Sequence, residues 1–274
     1  MTHILARFSM PIHPTAIIDP SAQIDPTTEI GPYVIIDKDV KIGAGNKIHP
    51  FVSIHAGTTI GDNNEIYSYA VIGGVPQHLA YKGEPTRTFI GNNNVFRENV
   101  TIHRPFKVES ETRVGSDCFF MTGSHVGHDC VLGSKIILTN GCMLAGHVEV
   151  GDNVVISGNA TVHQFVRIGR GAMMQGLSGI SKDLPPFMMA SAVNHVAGMN
   201  IVGMRRAGIS QAARTEIKQA FRILYRQGNS VPRALDALKS GNFGPEVGEI
   251  IAFIEGSKRG VLSGERGSNA ETGE

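Results

Sequence analysis

The sequence predicts an all-β fold, a parallel β-helix of hexapeptide repeats, closed at its C-terminal end by a small α-helical domain. Three observations carry the prediction. First, a large apolar side chain recurs at multiples of six, from Ile12 through Ile36, Ile72, Phe96, Phe120, Leu144 and Ile168 to Ile180. It occupies 27 of 29 such positions, failing only at His78 and Glu84, where a 41% hydrophobic composition would place about 12 by chance. A period of six fits neither a helix nor a simple alternating strand, but it fits a coil in which each hexad is one short strand and its turn. Second, a smaller residue follows four positions later, as at Ala16, Thr28, Val34, Val52, Ala70, Val100, Ser124, Ala160 and Ser178. Residues an even number apart on a strand share a face, so large and small side chains project into one narrow prism. Third, the periodicity turns helical after Pro185-Pro186.

Along the chain, residues 1–10 read as a non-repetitive N-terminal extension and 11–185 as the β-helix. Turn segments such as Gly43-Ala44-Gly45-Asn46 and Gly61-Asp62-Asn63-Asn64 use the residues that tolerate positive φ at tight corners. Two stretches break the pattern. Gly73–Phe89 loses the register and regains it in phase at Ile90, as though a whole turn of chain loops outward, and Arg104–Arg113 is a shorter case. Loops expelled from a rigid scaffold are where binding residues concentrate. The two prolines end the ladder because they remove donors from it. Residues 186–262 then form the helical domain. Ser210 caps a helix running to Tyr225, and shorter helices are expected at Val231–Ser240 and Pro245–Glu255. Residues 263–274 read as a disordered tail.

A net charge of +1 gives no electrostatic reason to expect nucleic acid or an acidic membrane as partner. No apolar run approaches the ~18 residues of a membrane span, and the N-terminal MTHILARFSMPIHP lacks the pattern of a secretory signal. The expectation is a cytoplasmic protein. Cys118, Cys130 and Cys142, spaced by twelve, occupy the small inward register, which argues for core thiols rather than disulfides or metal ligands.

The histidines carry the chemistry. His103, His125, His128, His147 and His163 lie in the middle and later coils, outside the large apolar register. His128 and Gly146-His147 are about one 18-residue turn apart, so they fall on one edge of the prism. A histidine beside Asp129 on a rigid surface is suited to general-base work near neutral pH.

IGPYVIID (30–37), GEPTR (83–87), FRENVTIHR (96–104), HVGHDC (125–130), LAGHV (144–148), TVHQF (161–165) and DLPPF (183–187) occur in the same order in one family. Over roughly residues 11–260 the chain resembles the UDP-N-acetylglucosamine O-acyltransferases that open lipid A biosynthesis, within the hexapeptide-repeat superfamily. That resemblance implies a left-handed coil with 18 residues per triangular turn. It implies a homotrimer with active sites between neighbouring prisms, no cofactor, and no catalytic metal. An acyl carrier protein thioester would donate a 3-hydroxyacyl chain to the 3-hydroxyl of a UDP-sugar nucleotide. His128 matches the general base, accompanied by Asp129, and the Gly146 N–H matches the oxyanion donor. Gln77, His78, His103, His125, His147, His163 and Gln164 match positions that contact or orient substrate. Gly176 matches the position that limits acyl length, and Asn200 and Arg206 match uridine-nucleotide contacts from the neighbouring subunit. Arg205, Arg206, Lys218, Arg222 and Arg226 are equally read as a surface for the acidic carrier or as a solvated helix face.

Three departures from the family pattern stand out. The loop Gln77-His78-Leu79-Ala80-Tyr81 lacks the family's carboxylate and ammonium, which leaves a 3-amino acceptor and an amide product as an alternative. Pro105 replaces the usual glycine after His103-Arg104 and stiffens that loop. Residues 191–198 depart from the family spacing. Other classes remain on the same scaffold. A zinc-dependent carbonic anhydrase would need three histidines around an open metal position. The sister N-acyltransferase normally carries an extra N-terminal domain, and a purely structural β-helix would have no use for histidines gathered on one edge.

Overall fold

A computed structural model describes residues 11–264. The repeat folds into a left-handed parallel β-helix whose short strands stack into three parallel sheets, the faces of a triangular prism. Most strands are two residues long, from Ile17–Ile18 to Gly179–Ile180. Pairing follows an 18-residue register, as in Ile17↔Ile35 and Leu144↔Val162.

The two extrusions have sizes that explain the recovery of phase. Across the first, the register lengthens to Ile60↔Ile90 and Ile72↔Ile102, thirty residues in place of eighteen, so twelve residues are expelled. Across the second it is Ile90↔Val114 and Ile102↔Val126, so six are expelled. Both are whole hexads, and the first is two hexads, not the full turn expected from the sequence. Val108, counted in the apolar register by position alone, lies on the second extrusion and is 56% exposed.

Inside the prism the large register is buried nearly throughout, with Ile36, Ile54, Ile66, Phe96, Phe120, Leu138 and Ile156 at or near zero exposure. Each such side chain contributes about 1.5–3 kcal/mol relative to exposure. The small register holds a feature that its apolar members hide. Asn46, Asn64 and Asn94 sit in it, fully buried and stacked. Asn46 Nδ2 donates to the carbonyls of Gly43 and Gly61 at 2.8 and 2.9 Å. Its Oδ1 accepts from Asn64 N–H and Nδ2 at 2.8 and 2.9 Å. Asn64 Oδ1 does the same for Asn94 at 2.9 and 2.9 Å, and Asn94 Oδ1 accepts from Cys118 N–H at 2.8 Å. Every member of this ladder is satisfied, so buried polarity here costs little. Above it Cys118, Cys130 and Cys142 are free and buried, and burial pushes their thiols up to about 11, 12 and 12.

The repeat's end is more elaborate than a helical cap. Met188–Ser191 extends one sheet in parallel with Met173–Met174, then hairpins back through His195–Met199. Helices follow at Ile201–Arg206 (α1), Gln211–Tyr225 (α2), Val231–Ser240 (α3) and Pro245–Glu255 (α4). Ser210 Oγ accepts from Ala213 N–H and caps α2. Arg170 fastens α4 to the last coil by a two-pronged pair with Glu249, at 3.1 and 2.7 Å. Ser263, assigned from sequence to the tail, instead accepts from Val196 N–H at 2.8 Å. The expected extension at 1–10 and the remaining tail lie outside the described residues. No helix among the described residues is long and apolar enough to cross a membrane.

Candidate active site

One corner of the prism brings His128, Asp129 and His147 together. Asp129 and His147 occupy successive positive-φ corner positions, at φ 60° and 61°, where most other corners carry Asn, Asp or Gly. The coils are tied there by His147 N–H donating to His128 C=O at 2.9 Å.

His128 Nδ1 lies 2.6 Å from Asp129 Oδ2. Burial pushes the Asp129 carboxyl up, but hydrogen bonds from His128 and Ser110, then the nearby His147 ring, outweigh it and hold it below its usual range. Its side chain is 2% exposed and also accepts from Ser110 Oγ and from Phe106 N–H. An ionised carboxylate can only accept, so the short contact assigns the proton to His128 Nδ1. That leaves the Nε2 lone pair of His128 free to take a proton.

Two aromatic side chains frame the pair. Phe106 stacks on His78 at 4.0 Å and meets His128 edge-on at 5.5 Å. Phe165 stacks on His147 at 4.4 Å, and His147 stands perpendicular to His128 at 5.2 Å. His78 itself reaches to 5.2 Å from the His128 ring. The first extrusion therefore folds back over the same corner as the second. On the adjoining face, His125 Nδ1 shares a 2.7 Å hydrogen bond with Thr101 Oγ1, and His103 lies edge-on to His125 at 4.9 Å. Burial, then the neighbouring imidazoles, lowers His103 to about 4, and burial also lowers His125 and His147. These rings are neutral at pH 7 and act as neutral hydrogen-bonding surfaces.

Gly146 closes the site. A Cβ there would lie 2.5 Å from His128 Cε1 and 2.7 Å from Nε2, so any side chain would displace the imidazole. The Gly146 N–H has no hydrogen-bond partner among the described residues. A cavity of about 710 Å³, which neither Gly146 nor His128 lines, opens along Asp129 and His147 towards Phe165, Arg167, Lys258 and Arg259.

The remaining expected residues are more scattered. His163 and Gln164 are exposed one coil above His147, with His163 Nδ1 3.3 Å from Arg259 Nη2. Gln77 is exposed on the loop. A Cβ on Gly176 would meet only the Gly158 carbonyl, at 3.4 Å, so the space beside its backbone is open. Asn200 is 6% exposed and its amide is engaged, accepting from Gly203 N–H at 2.9 Å and donating to Gly171 C=O at 3.0 Å. Arg206 is exposed in the last turn of α1. Sequence reasoning missed Phe106, Ser110 and Thr112, which hold Asp129, and Phe165, an aromatic residue at a corner position. Only Phe165 carried a signal, its size at a place where Asn or Gly is usual.

His128, Asp129 and His147 each present a ligand atom within 4.8 Å of the others, close enough for a metal ion to bridge. The donor set is two imidazoles and one carboxylate, not the three imidazoles of the carbonic anhydrase expectation. That carboxylate already accepts from His128, Ser110 and the Phe106 amide. The arrangement serves proton transfer better than metal binding.

A hexapeptide prism with an oriented imidazole, a carboxylate behind it and a free amide one coil away defines a hexapeptide-repeat acyltransferase. Family models agree. One described as bacterial transferase hexapeptide matches residues 39–74, and one described as UDP N-acetylglucosamine O-acyltransferase, domain 2, matches 183–262. The acyl-[acyl-carrier-protein]--UDP-N-acetylglucosamine O-acyltransferase of Paraburkholderia xenovorans is 44% identical over 260 residues, covering 92% of this chain and 98% of that one. The enzyme of that name from Anaeromyxobacter dehalogenans is 41% identical over 255 residues, covering 92% and 99%. Among solved structures, LpxA of Acinetobacter baumannii superposes with a TM-score of 0.88 at 42% identity, covering 92% and 99%. The Arabidopsis UDP-N-acetylglucosamine acyltransferase does so at 0.82 and 32% identity, covering 92% and 99%. The chain belongs to the UDP-N-acetylglucosamine O-acyltransferase family.

Proposed function

We propose that this protein transfers a 3-hydroxyacyl chain from acyl carrier protein to the 3-hydroxyl of UDP-N-acetylglucosamine, as a cytoplasmic homotrimer with sites shared between neighbouring chains. The observation that carries the reading is the 2.6 Å His128–Asp129 contact, which leaves Nε2 free one coil from the unpartnered Gly146 N–H.

His128 Nε2 takes the proton of the sugar hydroxyl as its oxygen attacks the thioester carbonyl. Negative charge develops on the carbonyl oxygen and is received by the Gly146 amide, a fixed donor that needs no reorganisation. Collapse forms the ester and breaks the carbon–sulfur bond. The imidazolium, stabilised by Asp129, returns the proton to the departing thiolate. No covalent enzyme intermediate is required.

His78, His103, His125, His147, His163, Gln164 and Gln77 line and orient the acceptor and donor around this centre, and the bare Gly176 admits a long acyl chain. Asn200, whose side chain caps α1, and Arg206, exposed in the last turn of that helix, meet the nucleotide held by the neighbouring chain.

The test incubates purified protein with acyl carrier thioesters of several lengths and offers UDP-N-acetylglucosamine or its 3-amino analogue, with products read by mass spectrometry. The expected product is the O-acyl nucleotide. His128→Ala should fold and assemble normally yet lose transfer. More than a few percent residual activity in that variant would remove His128 from the role of base.

A further inference from the structure

A cavity of about 740 Å³ contains none of the active-site histidines. It lies between the first extrusion and the outer face of the N-terminal coils. Lys38, Lys41, Arg87 and Arg104 line it, against two acids, Asp39 and Glu84. The lining thus carries two more cations than acids, and Glu84 is already committed to the backbone of its own loop, its Oε2 accepting from Lys82 N–H at 2.7 Å.

The walls are firmly placed. A Cβ on Gly57, at φ 77°, would lie 2.7 Å from the Thr86 carbonyl, so the loop's return strand presses directly on the coil. Arg104 Nη1 donates to Ala56 C=O at 3.2 Å and its guanidinium lies 5.8 Å from the Tyr81 ring centre. Tyr81 is tied down in turn, its hydroxyl donating to Glu84 C=O at 3.0 Å.

We propose that this cavity is an anion-binding site for a phosphorylated small molecule, separate from the acyl-transfer centre. Four cations, two of them guanidinium groups that can offer paired N–H donors, match the multiple acceptor oxygens of a phosphomonoester or diphosphate. The volume accommodates a sugar- or nucleotide-sized body behind the phosphate. The same loop carries His78 to the His128 ring on its other side, so an occupant would brace the segment that covers the active site.

Calorimetric titration with inorganic pyrophosphate at low salt, in the presence of saturating UDP-N-acetylglucosamine, tests this. One site per chain is expected, weakening as salt is raised. Lys41→Ala with Arg87→Ala, both exposed on rigid strands, should weaken binding at least tenfold while leaving acyl transfer without pyrophosphate unchanged. Parallel titrations with inorganic phosphate and 4′-phosphopantetheine separate a free metabolite from the carrier's own arm as the source of the phosphate. Absence of binding, loss of binding under saturating UDP-N-acetylglucosamine, or unchanged affinity in the double variant would each overturn the proposal. Failure of acyl transfer itself would count against the proposed function and leave this titration readable.

Discussion

Gly146 sits so close under the His128 ring that a single methyl group would overlap it, at 2.5 Å from Cε1. The absence of a side chain in one coil thus sets the position of the imidazole in the coil below. Gly146→Ala should therefore lower kcat by at least ~10²-fold, the usual cost of misplacing a reacting group by about an ångström. The thermal midpoint should stay near that of the wild type. Steady-state assays beside a melting curve check both.

Asp129→Asn keeps the shape of the corner but replaces a pure acceptor with an amide. The imidazole loses both its tautomer bias and the charge that stabilises its protonated form. A fall in kcat on the order of 10²–10⁴-fold, with KM changed little, is expected. An unaltered pH–rate profile in this variant would show that the carboxylate does not act through His128.

Asn64 is the middle rung of the buried ladder, accepting through one oxygen from both donors of Asn94. In Asn64→Leu the Asn94 N–H loses its acceptor and Asn94 Nδ2 keeps only the Gly115 carbonyl, at 3.0 Å, which should cost about 1–3 kcal/mol. A urea titration followed by circular dichroism reads this as a lowered midpoint. Asn64→Leu at wild-type stability would mean that water or a shifted neighbour satisfies Asn94.

His103 is held at about 4 in the folded chain, against 6.5 for the free side chain, chiefly by burial. Between these values the unfolded chain binds a proton that the folded one does not. Stability is therefore fully present above pH 6.5 and declines as the pH falls towards 4. His103→Gln should flatten that dependence, which unfolding midpoints at pH 7.5 and 4.5 for the two proteins would reveal.

The three thiols, raised to between about 11 and 12, should resist a disulfide reagent at pH 8 and react in full once the chain is unfolded. Titration with and without denaturant distinguishes the two states.

Much of this structure is legible in the sequence because the fold is built from one short-range rule. The sixfold period places Ile36, Phe96 and Leu144 in the core directly, and the 18-residue turn sets His128 beside His147 without reference to any other part of the chain. The Asn46–Asn64–Asn94 ladder escapes notice because its residues lie in an inward register and are turn-formers at the same time. Phe106 and Ser110, which fix Asp129, lie on an expelled segment with no period of its own. Their positions depend on contacts with Asp129, His78 and His128, distant in sequence, and no local pattern records such contacts. The hairpin at Met188–Met199 is hidden for the reverse reason, since its strands follow the prolines that appear to end the ladder.

The two expelled segments contain twelve and six residues, and that arithmetic constrains how such a chain can change its length. Trimming or enlarging a loop by a whole hexad leaves every later isoleucine pointing inward. Adding or removing a single residue within a coil would turn the following strands inside out, presenting Lys and Glu to the interior until the frame is restored. Length variation within the coils is therefore quantised in steps of six, whereas an expelled loop lies outside the ladder and can be remodelled while the scaffold beneath it keeps its frame.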